Sequence, residues 1–172
     1  MFEPLHERRL PPSWLWLLLA LLVVLLDQAS KWLVARDIPL GGSIAVTGFF
    51  NLVHVENPGA AFSFLAAQSG WQRWLFAALA GSASLAIVAI LLRRRRRVLL
   101  GLALALILGG ALGNLIDRVV WGHVTDFLDF YLRTNSGTWH FWAFNLADSA
   151  ISVGAATLLL DEQLQARRRR RA

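Results

Sequence analysis

Asp148 and Asn145 stand three residues apart in FNLADSAI (Phe144–Ile151), a stretch that is otherwise small or apolar. On a helix that spacing puts both side chains on one face. One acid in such a place serves as a structural hydrogen-bonder. Two acids in one pocket keep a proton between them and so supply a general base and a general acid together. The candidates for the second carboxyl are Asp117, Asp126 and Asp129, and spacing does not choose among them. Asp126 and Asp129, three apart, would both face the membrane if they lie in a helical turn. Further polar groups stand at the ends of apolar runs: Asp27 with Lys31, and Asn114 with Asp117 and Arg118. An acid or base at the centre of a membrane span costs about 2.5–3.5 kcal/mol, so such groups call for a reason. Asp27 and Lys31 are four apart and pair on one helix face, either as a snorkelling ion pair that ends a span or as a brace for a site.

The elements that position these groups are membrane spans. Among 172 residues, 56% are hydrophobic and 16% charged, and the mean hydropathy is +0.52. A soluble domain carries about 25% charged residues. Four segments approach the roughly 20 apolar residues a spanning helix needs: 13–35, 72–92, 98–118 and 140–160. The first continues through Asp27 and Lys31 without a clean cleavage site, so it reads as an uncleaved span. If the fourth begins near His140, Asp148 lies about 12 Å along its axis. Gly109, Gly110 and Gly113 form a small-residue face for close helix packing. Segments 37–70 and 119–139 lie outside, and the first has strand signals at 44–47 and 49–55. The expected architecture is an all-α membrane protein, one domain over 1–172, with four transmembrane helices and a small extracytoplasmic β cap.

Charge and aromatic placement orient the spans. Arg93–Arg97 and Arg167–Arg171 supply ten of the 17 basic residues, and Arg8 and Arg9 precede the first span. Clusters abutting apolar runs are topology signals, which puts all three in the cytoplasm together with both termini. Nucleic-acid binding, which needs basic residues dispersed over a folded face, is set aside. Trp32, Trp71, Trp74, Trp121, Trp139 and Trp142 then mark the outer interface, and Trp14 and Trp16 the inner one. There is no cysteine, no G-x-S-x-G, and no metal-ligand spacing among His54, His123 and His140, which read as surface histidines. A proton-coupled transporter would place its acids nearer the midplane, with broken helices.

The stretches DQASK (27–31), ENPGAAFSFL (56–65), GGALGNLIDRV (109–119), GHVTDF (122–127) and FNLADSAI (144–151) resemble lipoprotein signal peptidase, the type II signal peptidase of bacteria. The resemblance covers all four spans and both external segments. It implies an aspartic endopeptidase of the inner membrane, with its active site at the periplasmic face. Such an enzyme removes signal peptides from diacylglyceryl-modified prolipoproteins just before the lipidated cysteine. Carried over by residue, Asp126 and Asp148 are the catalytic pair, Asn57, Asn114, Arg118 and Asn145 line the site, and Asp27, Lys31 and Asp117 support it. Asp129 is left as a surface acid. The resemblance implies neither metal nor cofactor. It does imply membrane lipids as surroundings, a monomer, and inhibition by cyclic peptides of the globomycin type. Pro58 departs from the family's usual Thr; its fixed φ stiffens the loop that carries Asn57.

Overall fold

The computed structural model describes residues 11–59, 70–93 and 97–171, with the side chain of Arg93 left out. Arg8, Arg9, Arg94–Arg96 and positions 60–65 of the ENPGAAFSFL stretch lie outside the described residues. The chain runs α1 (Ser13–Asp37), β1 (Ser43–Thr47), β2 (Phe50–Asn57), α2 (Trp71–Arg93), α3 (Val98–Val120), β3 (Val124–Thr134), β4 (Gly137–His140) and α4 (Leu146–Arg169).

α3 is the central helix and packs against each of the other three. Its sequence explains why: Gly101, Ala103, Ala105, Gly109, Gly110, Ala111 and Gly113 are all buried, and residues this small let neighbouring backbones approach. A Cβ on Gly109 would stand 2.6 Å from the Cβ of Val23, and one on Gly113 2.5 Å from Asp27 Oδ2. The expected packing face is therefore real, and it faces α1 and α4 together. Trp16, expected at the inner interface, is buried with Ala20, Leu104 and Leu108, under Gly101, because that glycine leaves room for an indole. Trp14 is exposed, as are the six tryptophans assigned to the outer interface. Among the described residues three helices are long and apolar enough to cross a membrane: Ser13–Asp37, Trp71–Leu92 and Val98–Val120. Leu15, Leu18, Leu21, Leu22, Leu25 and Leu26 all stand exposed on α1, an apolar surface suited to lipid.

The fourth helix differs from expectation. It starts at Leu146, six residues after His140, because His140 closes β4 and Asn145 caps the helix. The cap is a reciprocal box: Asn145 Oδ1 accepts from the Asp148 amide at 2.9 Å, and Asp148 Oδ2 accepts from the Asn145 amide at 3.3 Å. Asp148 therefore sits in the first turn and not eight residues inside the helix.

The β cap is larger than the sequence suggested. The strands at 44–47 and 49–55 are present, and segment 119–139 contributes two more, giving an antiparallel sheet in the order β1-β2-β3-β4. β2 and β3 pair Asn51 with Asp129, Val55 with Asp126 and Asn57 with Val124, with a bulge in β2 between Leu52 and Val55. Phe144 fastens the sheet to α4: its carbonyl accepts from Phe127 at 3.0 Å and Leu128 at 2.8 Å, and its amide donates to Leu128 at 3.2 Å. Val34, Ile38 and Phe127, with Leu52, Leu128 and Leu146 against them, pack the sheet onto the ends of α1 and α4.

Candidate active site

Asp126 and Asp129 do not lie in a helical turn, the case in which both would have faced the membrane. Both lie on β3, where positions three apart point to opposite faces. Asp126 turns toward α3 and α4. Its Oδ1 accepts from Asn145 Nδ2 at 2.7 Å, and its Oδ2 from Asn57 Nδ2 at 3.1 Å. Asn57 is held in turn by its own Oδ1, which accepts from the Gly59 amide at 3.0 Å. Gly59 has φ +99°, a backbone that glycine adopts without strain, so the turn after Pro58 folds back onto Asn57.

Asp148 accepts at Oδ1 from Asn114 Nδ2 at 2.8 Å. Asn145 thus ties the pair together, donating from its side chain to Asp126 and from its backbone to Asp148. Asn145 is fully buried and Asp126 is 4% exposed. Burial, and then the charge of Asp148, push the Asp126 carboxyl up from 3.8 to about 6, against the hydrogen bonds from Asn57 and Asn145. Arg118 donates from Nη1 to the Asn114 carbonyl at 3.0 Å and lies over the Phe76 ring. The asparagine amides hold the carboxylates without neutralising them.

Asp27 and Lys31 do not snorkel. Lys31 Nζ is buried and reaches three acceptors: Asp27 Oδ2 at 2.7 Å, Asp117 Oδ2 at 2.7 Å and Asn114 Oδ1 at 2.9 Å. Two of the ammonium's three donors make hydrogen bonds, to Asp27 and Asn114, and the contact with Asp117 is an ion pair. Asp27 Oδ1 also accepts from the Ala147 amide at 2.9 Å, so this cluster anchors the start of α4 as well. Gln28, not singled out in the sequence, completes it by donating to Asp117 Oδ1 at 2.7 Å and to the Gly113 carbonyl at 3.2 Å. Its place directly after Asp27 gave no signal, since adjacent helical positions do not share a face.

Every site residue the sequence nominated falls into these two joined clusters. Asp129 does not, and neither is it a surface acid: it is 5% exposed and binds Asn51 and His140 on the other face of the sheet. Of the three histidines expected at the surface, His140 is exposed and His123 partly so, and only His54 departs. His54 is buried, with Nδ1 2.8 Å from the Ile38 carbonyl, while His123 lies 3.4 Å from Glu56.

Apolar helices gathered round two amide-held carboxylates, one buried and one half-buried, fit a class, the membrane-embedded peptidases of aspartic type. Within it, residues 19–164 match the family model described as signal peptidase (SPase) II, and the chain belongs to that family. The lipoprotein signal peptidase of Burkholderia cenocepacia (strain HI2424) is 56% identical over 147 residues, 86% of each chain. Two solved structures described as bacterial membrane enzymes are similar in fold. One, 30% identical, has a TM-score of 0.76 and covers 91% of this chain and 97% of its own. The other, 29% identical, has a TM-score of 0.75 and covers 88% of each.

Proposed function

We propose that Asp126 and Asp148 are the catalytic pair of a peptidase that removes signal peptides from lipid-modified prolipoproteins, cutting just before the lipidated cysteine. The observation that carries this is the double tie through Asn145, which joins the two carboxyls through one residue's amides, with no salt bridge to either acid among the described residues. One carboxylate takes a proton from a water molecule, and the other, protonated, polarises the scissile carbonyl. Asn57, Asn114 and Asn145 fix the positions of the carboxyl oxygens. Arg118, next to the pair, is placed to meet charge developing on the carbonyl oxygen. Asp27, Lys31 and Asp117 hold the frame.

The substrate's apolar signal helix lies between the spans, with its acyl chains in the bilayer. In this reading α4 crosses the membrane as a fourth span, both termini are cytoplasmic, and the site opens at the periplasmic face of the inner membrane. The enzyme works as a monomer and is blocked by cyclic peptides of the globomycin type.

The test is cleavage of a lipidated preprolipoprotein peptide by the purified protein in EDTA. Release of the signal peptide by the wild type, and its loss in both Asp126→Asn and Asp148→Asn, is the expected result. Normal turnover in either variant overturns the pair. For orientation, a reporter fused after Arg171 should read cytoplasmic and one inserted at Gly41 periplasmic; the reverse places the site on the wrong side.

A further inference from the structure

The face of the sheet opposite Asp126 carries a cavity of about 500 Å³ that the cleavage reaction does not use, lined among others by Asn51, Val53, Asp129, His140, Phe141 and Trp142. Its floor is a hydrogen-bonded triad. Asp129, almost wholly buried, accepts from Asn51 Nδ2 at 2.9 Å and from His140 Nδ1 at 2.9 Å. That pairing uses the donors of Asn51 and His140 on the acid and takes no part of Asn51 Oδ1 or His140 Nε2, both acceptors in this arrangement. The walls are Val53, Phe141 and Trp142, and aromatic faces favour a cation. The cavity thus offers a buried carboxylate at its floor and the Asn51 carbonyl beside it, set among apolar walls, a chemistry suited to a hydrogen-bond donor or cation on an apolar stem.

The cavity and the site lie on opposite faces of the sheet and share its strands. Val55, in its lining, is in register with Asp126, and the lining residue Ala143 leads through Phe144 into Asn145. Asp129 lies three strand positions from Asp126, about 10 Å along β3, which is the reach of roughly three extended residues.

We propose that this cavity is a specificity subsite that receives a basic side chain from one of the first three residues after the lipidated cysteine. The proposal rests on the peptidase reading above. The mature segment leaves the scissile bond away from the spans, and the sheet is the surface it meets there.

The test is a set of lipidated peptides carrying Lys, Ser or Asp at each of those three positions, together with one that ends at the lipidated cysteine. At one position the wild type should cleave the Lys peptide about tenfold better than the Asp peptide in kcat/KM, with the difference in KM. In Asp129→Asn this ratio should fall to within about twofold, while the truncated peptide is cleaved as by the wild type. Ser43→Phe, which fills the cavity from the edge strand and leaves Asp129 itself unchanged, should raise KM for every extended peptide and leave the truncated one unchanged. Equal cleavage of the Lys and Asp peptides by the wild type, or a ratio that survives Asp129→Asn, overturns the subsite alone. A wild type that cleaves none of the peptides, the truncated one included, overturns the peptidase reading as well.

Discussion

Two carboxylate clusters meet at the junction of α1, α3, α4 and the sheet, and they are built on opposite principles. Around Lys31, Asp27 and Asp117 each lie 2.7 Å from one ammonium, which offsets part of their charge and locks their geometry. Around Asn145, Asp126 and Asp148 are held by amides, which orient a carboxylate but leave its charge in place. A cation in direct contact favours the ionised acid more strongly than a neutral amide does, and burial is what lifts Asp126. The first arrangement suits a frame and the second suits proton transfer. Asn114 belongs to both, accepting from Lys31 and donating to Asp148, so the frame sets the amide that steers the reactive acid.

The strongest way to break this contrast is to exchange acid for amide in each cluster. Asp126→Asn and Asp148→Asn should each lower kcat by about 10³-fold or more while leaving the protein folded, because loss of a general acid or base removes chemistry and little packing. A peptide-cleavage rate within tenfold of wild type would remove the distinction. Next in size, Lys31→Met strands two buried acids. Breaking one partner out of a buried ion pair costs about 3–5 kcal/mol, so unfolding in detergent should shift by that much. An unchanged unfolding midpoint would mean that the ammonium is not the centre of the frame.

Asn145→Ala should cost about 10²-fold in kcat and about 1 kcal/mol of stability, since it removes a helix cap and a tie between the acids at once. Stability loss without a kinetic effect would make it a cap only. The smallest effect is a pH dependence. Folding raises the proton affinity of Asp126, so its contribution to stability is present below pH 4 and is lost as pH rises through about 6. Asp126→Asn lacks this titration. Its stability relative to the wild type should therefore rise between pH 4 and 7, by on the order of 2 kcal/mol, and then level off. Thermal unfolding across that range measures it, and a flat difference would remove the buried acid from the explanation.

Helical geometry was legible in the sequence. The i,i+4 spacing of Asp27 and Lys31 and the i,i+3 spacing of Asn145 and Asp148 both become contacts, and the glycines of α3 do pack against α1 and α4. Contacts that depend on strand register were not legible. Asn57 meets Asp126 only because β2 lies antiparallel to β3 with one bulge, and no local pattern states that offset. VTDFLDFYLRT carries β-branched and aromatic residues, but the three-residue spacing of its two acids leaves helix and strand open, and the strand sends them apart. Asp129 looked like a surface acid because neither Asn51 nor His140 is near it in sequence. The onset of α4 was misplaced because apolar composition runs on through Phe141 and Trp142, whereas a helix begins where its first amides find a cap.

Phe144 and Leu128 exchange backbone hydrogen bonds at the base of the hairpin formed by β3 and β4. That exchange makes the hairpin a bight of chain cinched at its throat. Whatever happens at the bend of Asn135, Ser136 and Gly137 is insulated from the acids below, so a fluorophore or epitope could be spliced there as a handle. The enzyme offers one place where it can be grasped without being disturbed.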